Sequence, residues 1–379
     1  MIELNDEQKM ILNTVKQIVN EKIKPRAAEI DEKAELPREV IDIFAENGLL
    51  APLIPEEYGG INAGFVLFSK ILEEISKVSP ACALMLISQA DGVQPILYGG
   101  SKEMKEKYLP GFVKGKIVCF AATEPDAGSD IQSMRTKAVR KGDSYVINGQ
   151  KCFITNGSIA DTISLYAYTD HQKKSRGISV FAIDKGSKGL IYGKNERKMG
   201  MRGCVNSHLF FEDLVVPEKN RIGNEGDGLS SMMMAFETGR VLTASQAVGL
   251  AQGAIDEAVK YAKERVQFGR PIAGFQAIQF MIADMLANTE AARLLTYQAA
   301  KYLDDKNRAK IPISCSMAKF FASDNAMKVT TDAVQILGGY GYLKDFPVER
   351  MMRDAKLIQI YAGTNQVMRI VTAREIFKN

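Results

Sequence analysis

The stretch ACALMLISQA, residues 81–90, holds no charge, and the next residue is a carboxylate, Asp91, set before Gly92. An unpaired charge among apolar side chains costs several kcal/mol, so an acid at the end of such a run calls for an explanation. Asp-Gly is also a common turn former, and on that account Asp91 would merely close a helix in solvent. Other catalytic chemistry is thinly supplied. Cys82, Cys119, Cys152, Cys204 and Cys315 stand singly, without the spacing of a disulfide framework or a zinc cage, and read as buried reduced thiols. His171 falls in the hydrophilic run TDHQKKSRG and His208 in an apolar strand pattern, neither with a partner at metal or triad spacing. There is no P-loop, and LGGYGY follows a helical pattern, so it is not a dinucleotide-binding turn.

Five further segments are dense in glycine, hydroxyls and amides: CFAATEPDAGSD (119–130), KCFITNG (151–157), RVQFGRPIAGFQ (265–276), QILGGYGYLKDFPVER (335–350) and RDAKLIQIYAGTNQ (353–366). Taken singly, each passes as an ordinary loop, strand end or helix stop. The elements that must carry them change texture along the chain. Ile11, Val15, Ile18 and Val19 repeat at helical spacing behind an Asn5 cap, and LPREVIDIFAENGLL repeats the pattern before a glycine stop. From about residue 120 strand patterns take over: SYVINGQKCFITNG predicts a hairpin turning at Asn148-Gly149, followed by ISLYAY, ISVFAI and HLFFEDLVV. From about residue 230 the helical period returns, in VLTASQAVGLAQGAIDEAVKYAKERVQF with small residues that allow close helix approach. The expected fold is therefore α+β, with a helical domain over 1–119, an antiparallel β domain over 120–229 and a helical bundle over 230–379.

A chain of 379 residues, 46% hydrophobic, can bury such domains. Its net charge of +4 comes from interspersed charges, which argues against nucleic acid as a partner. No apolar run is long enough for a membrane span, and the polar start MIELNDEQKM is unlike a signal peptide, so a cytoplasmic protein is expected.

Together and in this order, the five segments resemble the acyl-CoA dehydrogenase family from residue 5 to the end. The resemblance implies an N-terminal helical domain, a middle β domain and a C-terminal four-helix bundle, with FAD held between the last two, commonly in a homotetramer that passes electrons to an electron-transfer flavoprotein. It implies that Phe120, Ala122, Thr123, Gly128 and Ser129 hold the isoalloxazine, with Ser129 also reaching the thioester chain. Phe153, Ile154 and Thr155 would back the ring, the Thr155 hydroxyl near N5; many relatives have Trp at the place of Phe153. Arg265, Phe268 and Gln276 resemble adenine and pyrophosphate contacts delivered from a neighbouring subunit, Arg suiting pyrophosphate through its paired donors. Gln335, Gly338 and Gly339 match adenosine-side contacts, and Thr364 and Gln366 complete the cofactor set. Glu237 and Arg240 match positions touching the CoA part of an acyl-CoA thioester, the alternative being a helix-surface ion pair.

The family reaction needs a carboxylate to take a proton next to the thioester while a hydride leaves to the flavin. By resemblance the base is a glutamate either within Tyr-Glu-Gly-Thr, which here reads Tyr361-Ala362-Gly363-Thr364, or just before the helix arginine, where this chain has Gly239. Both places are empty. A gain of Asp91 with loss of acid at Ala362 resembles the members acting on cyclohex-1-ene-1-carboxyl-CoA, implying a 1,4-elimination to cyclohexa-1,5-diene-1-carboxyl-CoA with Asp91 as base. Three other readings stand beside it: a short-chain or cyclohexanecarboxyl substrate with a relocated base, and an acyl-CoA-binding flavoprotein without turnover.

Overall fold

The first helix, α1 (Asp6–Ile18), starts where the side chain of Asn5 accepts the Gln8 N–H at 2.8 Å and Gln8 returns the bond to the Asn5 N–H. This reciprocal cap satisfies two donors that a helix start would otherwise leave free. A computed structural model describes residues 2–378. Helices α2 (Ala27–Lys33), α3 (Arg38–Glu46), α4 (Gly64–Ser76), α5 (Pro80–Gly99) and α6 (Lys102–Val113) complete the first helical region.

The sheet region follows as β1 (Val118–Ala121), β2 (Lys137–Lys141), β3 (Ser144–Thr155), β4 (Thr162–Tyr168), β5 (Ile178–Asp184), β6 (Leu190–Asn195), β7 (Asn206–Pro217) and β8 (Arg221–Ile222). Its order is β6-β7-β3-β2-β4-β5-β8, with β1 beside β4. The expected antiparallel sheet is in fact mixed, because β1 and β2 both pair with β4 in parallel. The β2–β3 segment lies between β1 and β4 in the chain, a connection long enough for β4 to return and run alongside β1 in the same direction.

A second correction concerns Asn148-Gly149, which is a bulge inside the continuous strand β3 and not a hairpin turn. The register against β7 shifts there, and Asn148 exchanges hydrogen bonds with Asp213 at 2.8 and 3.0 Å. A Cβ on Gly149 would stand 2.5 Å from Thr136 Oγ1, so glycine is needed for close strand contact. The β2–β3 turn falls instead at Gly142, whose φ of 63° suits it.

Three long helices, α7 (Gly228–Glu264), α8 (Gln276–Asp304) and α9 (Ile311–Leu337), and the shorter α10 (Val348–Ile358) and α11 (Asn365–Ile376) close the chain. Between α7 and α8 the short strands β9 (Val266–Gln267) and β10 (Arg270–Pro271) form a hairpin. The small residues of α7 meet α4 backbone to backbone: a Cβ on Gly249 would lie 2.2 Å from Glu73 O, and one on Gly253 2.0 Å from Lys77 O. The two helical regions consequently share one apolar core, running from Val15 and Phe68 to Val248 and Ile358.

A separate core lies between α5, α6 and one face of the sheet, and a third on the other side of the sheet. On α5, Ala90 belongs to the helical core and Val93 to the sheet core, so Asp91 and Gly92 occupy the seam. No helix among the described residues is long and apolar enough to cross a membrane. Gly253→Val should force α4 and α7 apart and cost about 1–3 kcal/mol, the usual range for overpacking, read as a lower denaturation midpoint.

Candidate active site

Asp91 does not end its helix. Helix α5 continues through Asp91-Gly92 to Gly99 and is buried along nearly its whole length, so the solvent-exposed turn is excluded. Gly92 lets it pass close to the sheet, since a Cβ there would sit 3.0 Å from the Cys119 carbonyl carbon. Pro95 lacks the N–H that would bond the Asp91 carbonyl, and Ser164 of β4 donates to the adjoining Gly92 carbonyl at 2.7 Å. The backbone under Asp91 is thus fastened from outside its own helix.

The other polar side chains of α5 do similar fastening. Ser88 donates to the Thr155 carbonyl at 3.1 Å; Gln89 donates to Lys116 O at 2.9 Å and accepts from Val118 N at 2.8 Å. Asp91 differs: its side chain is half-buried, and Oδ1 is sealed from solvent without a hydrogen-bond partner. Burial raises its pKa well above the ordinary carboxylate range. Its charge is felt by two phenols, Tyr166 of β4 and Tyr361, both pushed up chiefly by their own burial. One turn on, Gln94 is 1% exposed, accepts from Thr238 of α7 at 2.7 Å, and has an unpaired Nε2.

The Tyr361-Ala362-Gly363-Thr364 turn comes near enough for Tyr361 to feel the Asp91 charge. Ala362 has φ 52° and Gly363 φ 90°, left-handed conformations that need external support. The Tyr361 hydroxyl donates to Gln246 Oε1 at 2.6 Å, and Gln246 donates to Pro80 O at 2.8 Å, tying the turn to the start of α5. Lys319 of α9, fully buried, donates to Gly363 O at 2.7 Å and to Asn365 Oδ1 at 2.9 Å; burial pushes its pKa down to about 7. Thr364 caps α11 by accepting Val367 N at 3.2 Å, while Gln366 is exposed.

The loop after β1 is stapled to β3. Lys151, also fully buried, donates to Ala122 O at 2.9 Å and to Glu124 Oε1 at 2.7 Å, and Cys152 N donates to Thr123 O at 2.9 Å. Burial opposes ionisation of Glu124, yet the Lys151 charge and the bonds from Lys151, Thr136 and Arg135 hold it below the usual carboxylate range. Burial lowers Lys151 to about 8, and the Glu124 charge and hydrogen bond work against that fall. The staple presents Phe120, packed on Tyr166 at 4.8 Å between centroids, and leaves Gly128 and Ser129 exposed. At the end of β3 a bulge between Lys151 and Ile154 puts Phe153 at φ 56° with its ring 66% exposed, while Ile154 is buried. Thr155 Oγ1 accepts from Asn206 Nδ2 at 3.4 Å, and Asn206 Oδ1 is a buried atom without a partner.

A second group of expected residues gathers elsewhere. Arg265, Phe268, Gly338 and Gly339 line a groove of about 700 Å³ with Tyr261, Tyr340 and Leu343. Phe268 is 94% exposed at φ 50°, the Arg265 guanidinium lies 5.4 Å from the Tyr340 ring centre, and nothing approaches within 4 Å of a Cβ on Gly338 or Gly339. Gln276 and Gln335 are exposed nearby on α8 and α9. The alternative surface pair of Glu237 with Arg240 does not form: Glu237 reaches Arg308 at 3.6 Å, and Arg240 is buried, donates to Ser316 at 3.4 Å and has an unpaired Nε. The helix turns Arg240 inward, toward α9.

Three domain models, the N-terminal, middle and C-terminal domains of acyl-CoA dehydrogenase, match residues 5–116, 119–214 and 226–377. The chain belongs to the acyl-CoA dehydrogenase family. It is 55% identical to the cyclohex-1-ene-1-carbonyl-CoA dehydrogenase of Geobacter metallireducens, over 99% of each chain. It is 46% identical to a subunit of the caffeyl-CoA reductase–Etf complex of Acetobacterium woodii, over 92% of each. The butyryl-CoA dehydrogenase structure from Megasphaera elsdenii superposes with a TM-score of 0.97 at 39% identity, covering 100% of both chains. As a family member the protein is an FAD-dependent oxidoreductase acting on CH–CH groups. The residues present fit that cofactor: a bare flat-ring contact at Phe153, an orphaned acceptor on Asn206, and a groove pairing glycine backbone with Arg265.

Sequence reasoning overlooked Lys151, Glu124, Lys319, Gln94 and Gln246. Lys151 and Lys319 are lysines within apolar patterns, KCFI and SMAKFFA, and that was the available signal. Replacing Lys151 by Met leaves Glu124 buried and unpaired; chemical denaturation should show a loss of about 3–5 kcal/mol, the range for breaking a buried ion pair from one side.

Proposed function

We propose that the protein oxidises cyclohex-1-ene-1-carboxyl-CoA to cyclohexa-1,5-diene-1-carboxyl-CoA, with Asp91 as the base of a 1,4-elimination. The observation that carries this reading is the Asp91 carboxylate itself, its Oδ1 sealed from solvent and unpaired at the seam, on a helix where Ser88 and Gln89 are engaged with the sheet region. In a conjugated thioester the carbonyl acidifies the γ position through the double bond, so the base belongs farther from the thioester than in an ordinary family member. Asp91 takes the C3 proton, the electrons of that C–H bond form the C2=C3 double bond, the former C1=C2 pair becomes C1=C6, and C6 releases a hydride. FAD, when bound, accepts that hydride at N5.

The chain's own residues do the rest. The stapled loop from Phe120 to Ser129 and the Phe153–Thr155 bulge orient the flavin ring, and Ala362 gives the substrate ring room while offering no competing acid. Glu237 and Arg240 serve the CoA portion. Arg265, Phe268 and Gln276 serve the adenine and pyrophosphate of a cofactor in a neighbouring subunit of a homotetramer, with Gln335, Gly338, Gly339, Thr364 and Gln366 completing its site. An electron-transfer flavoprotein takes the electrons onward, a reading supported by the relative found in an Etf complex.

Anaerobic mixing with butyryl-CoA, cyclohexanecarboxyl-CoA and cyclohex-1-ene-1-carboxyl-CoA tests the substrate: only the last should bleach the flavin rapidly, and rapid bleaching by butyryl-CoA would remove the assignment. Asp91→Asn should slow reduction by about 10²–10⁴-fold, the usual scale for a general base, whereas an unimpaired variant would strip Asp91 of that role.

The raised pKa of Asp91 also sets a sign for stability. Between about pH 4 and the raised pKa of the folded state, the unfolded carboxyl has lost its proton while the folded one keeps it, so native stability declines across that window and Asp91 is free to act as a base above it. Asn does not titrate. The melting temperature of Asp91→Asn should therefore exceed that of the native protein by more at pH 8 than at pH 5.

A further inference from the structure

Gly239 sits inside α7 with an ordinary helical backbone, absent from the positions of positive φ, so its conformation does not call for glycine. Glycine weakens a helix interior relative to alanine, and its presence there needs a cause. At Gly249 and Gly253 the cause is the backbone of α4. At Gly239 it is one side chain: a Cβ would meet Asp91 Oδ1 at 3.0 Å, Oδ2 at 3.5 Å and Cγ at 3.6 Å, its three nearest heavy atoms. The adjoining residue fixes the distance between the two helices, because Thr238 Oγ1 donates to Gln94 Oε1 at 2.7 Å, one turn along α5 from Asp91. That buried bond resists sliding of either helix to relieve a clash.

We propose that Gly239 is a specificity-determining positioning residue: its bare Cα is the seat of the Asp91 carboxylate, and a side chain there would displace the carboxylate from the reacting carbon. The proposal rests on Asp91 being the base. A methyl group at position 239 would keep the acid at the seam but shift it by a few tenths of an ångström, which lengthens the path of proton transfer without blocking entry of the thioester. Asp91 and Gly239 therefore act as a pair, the acid on α5 requiring the notch on α7.

The test is a cycle of four holoenzymes: native, Gly239→Ala, Asp91→Ala and the double variant. Alanine at 239 should lower the melting temperature when Asp91 is present and raise it when Asp91 has been cut back to Ala, because the methyl then enters free space and the helix gains. In the native background it should slow flavin reduction by cyclohex-1-ene-1-carboxyl-CoA by about 10-fold, with the thioester's dissociation constant near the native value. A native reduction rate in Gly239→Ala, or the same melting shift in both backgrounds, would overturn the proposal. Full activity in Asp91→Ala would instead defeat the base assignment, and the melting cycle, which involves no turnover, would still decide the seat.

Discussion

Helix α5 is buried on nearly all sides, so every polar atom it carries must find a partner within the protein or be left at a cost. Ser88 and Gln89 find theirs on β3, β1 and the segment before it, and the Gly92 carbonyl finds Ser164 on β4. These bonds hold the helix against the sheet with little freedom to shift. Asp91 is the carboxylate on the same helix that the arrangement leaves unsatisfied, and its position at the join of the two cores is fixed by the bonds around it. The rest of the site is organised about that helix.

Two buried lysines stabilise the opposite walls in the same manner. Lys151 holds the loop after β1 through a carbonyl and the Glu124 carboxylate, and Lys319 holds the left-handed turn at Ala362-Gly363 through a carbonyl and an amide. Burying an ammonium is unfavourable, and both pKa values are depressed for that reason. In return, backbone segments without regular secondary structure are held by strong, directional donors. Gly128, Ser129, Ala362 and Gly363 can then be small or exposed, since the segments that carry them are held by the lysines behind them.

A reaction that takes a proton far from the thioester requires both a new acid and the absence of old ones. Ala362 and Gly239 are small where a carboxylate could have stood, and at Gly239 the missing Cβ leaves room for the Asp91 side chain. The unpaired acid lowers stability at neutral pH, a cost that selection for folding alone would remove. Its presence in a helix otherwise packed for stability is the strongest physical argument that it acts on a ligand.

The amino-acid sequence by itself determined the succession of helical, β and helical regions, because apolar periodicity and capping are local properties, as at Asn5 and in the small-residue run of α7. It also determined the family, through short segments whose order is read without knowing their distances, and it displayed Asp91 with two missing glutamates. It misplaced what depends on contacts distant along the chain. Asn148-Gly149 has turn chemistry, yet β7 and Thr136 draw it into a strand; Asp91-Gly92 has the same chemistry, yet β1 and β4 draw it into a helix. The parallel pairing of β1 with β4, the inward turn of Arg240 and the meeting of Gly239 with Asp91 were likewise decided only by tertiary structure. Local propensity differs between such alternatives by about 1 kcal/mol or less per residue, and packing between remote segments readily exceeds that.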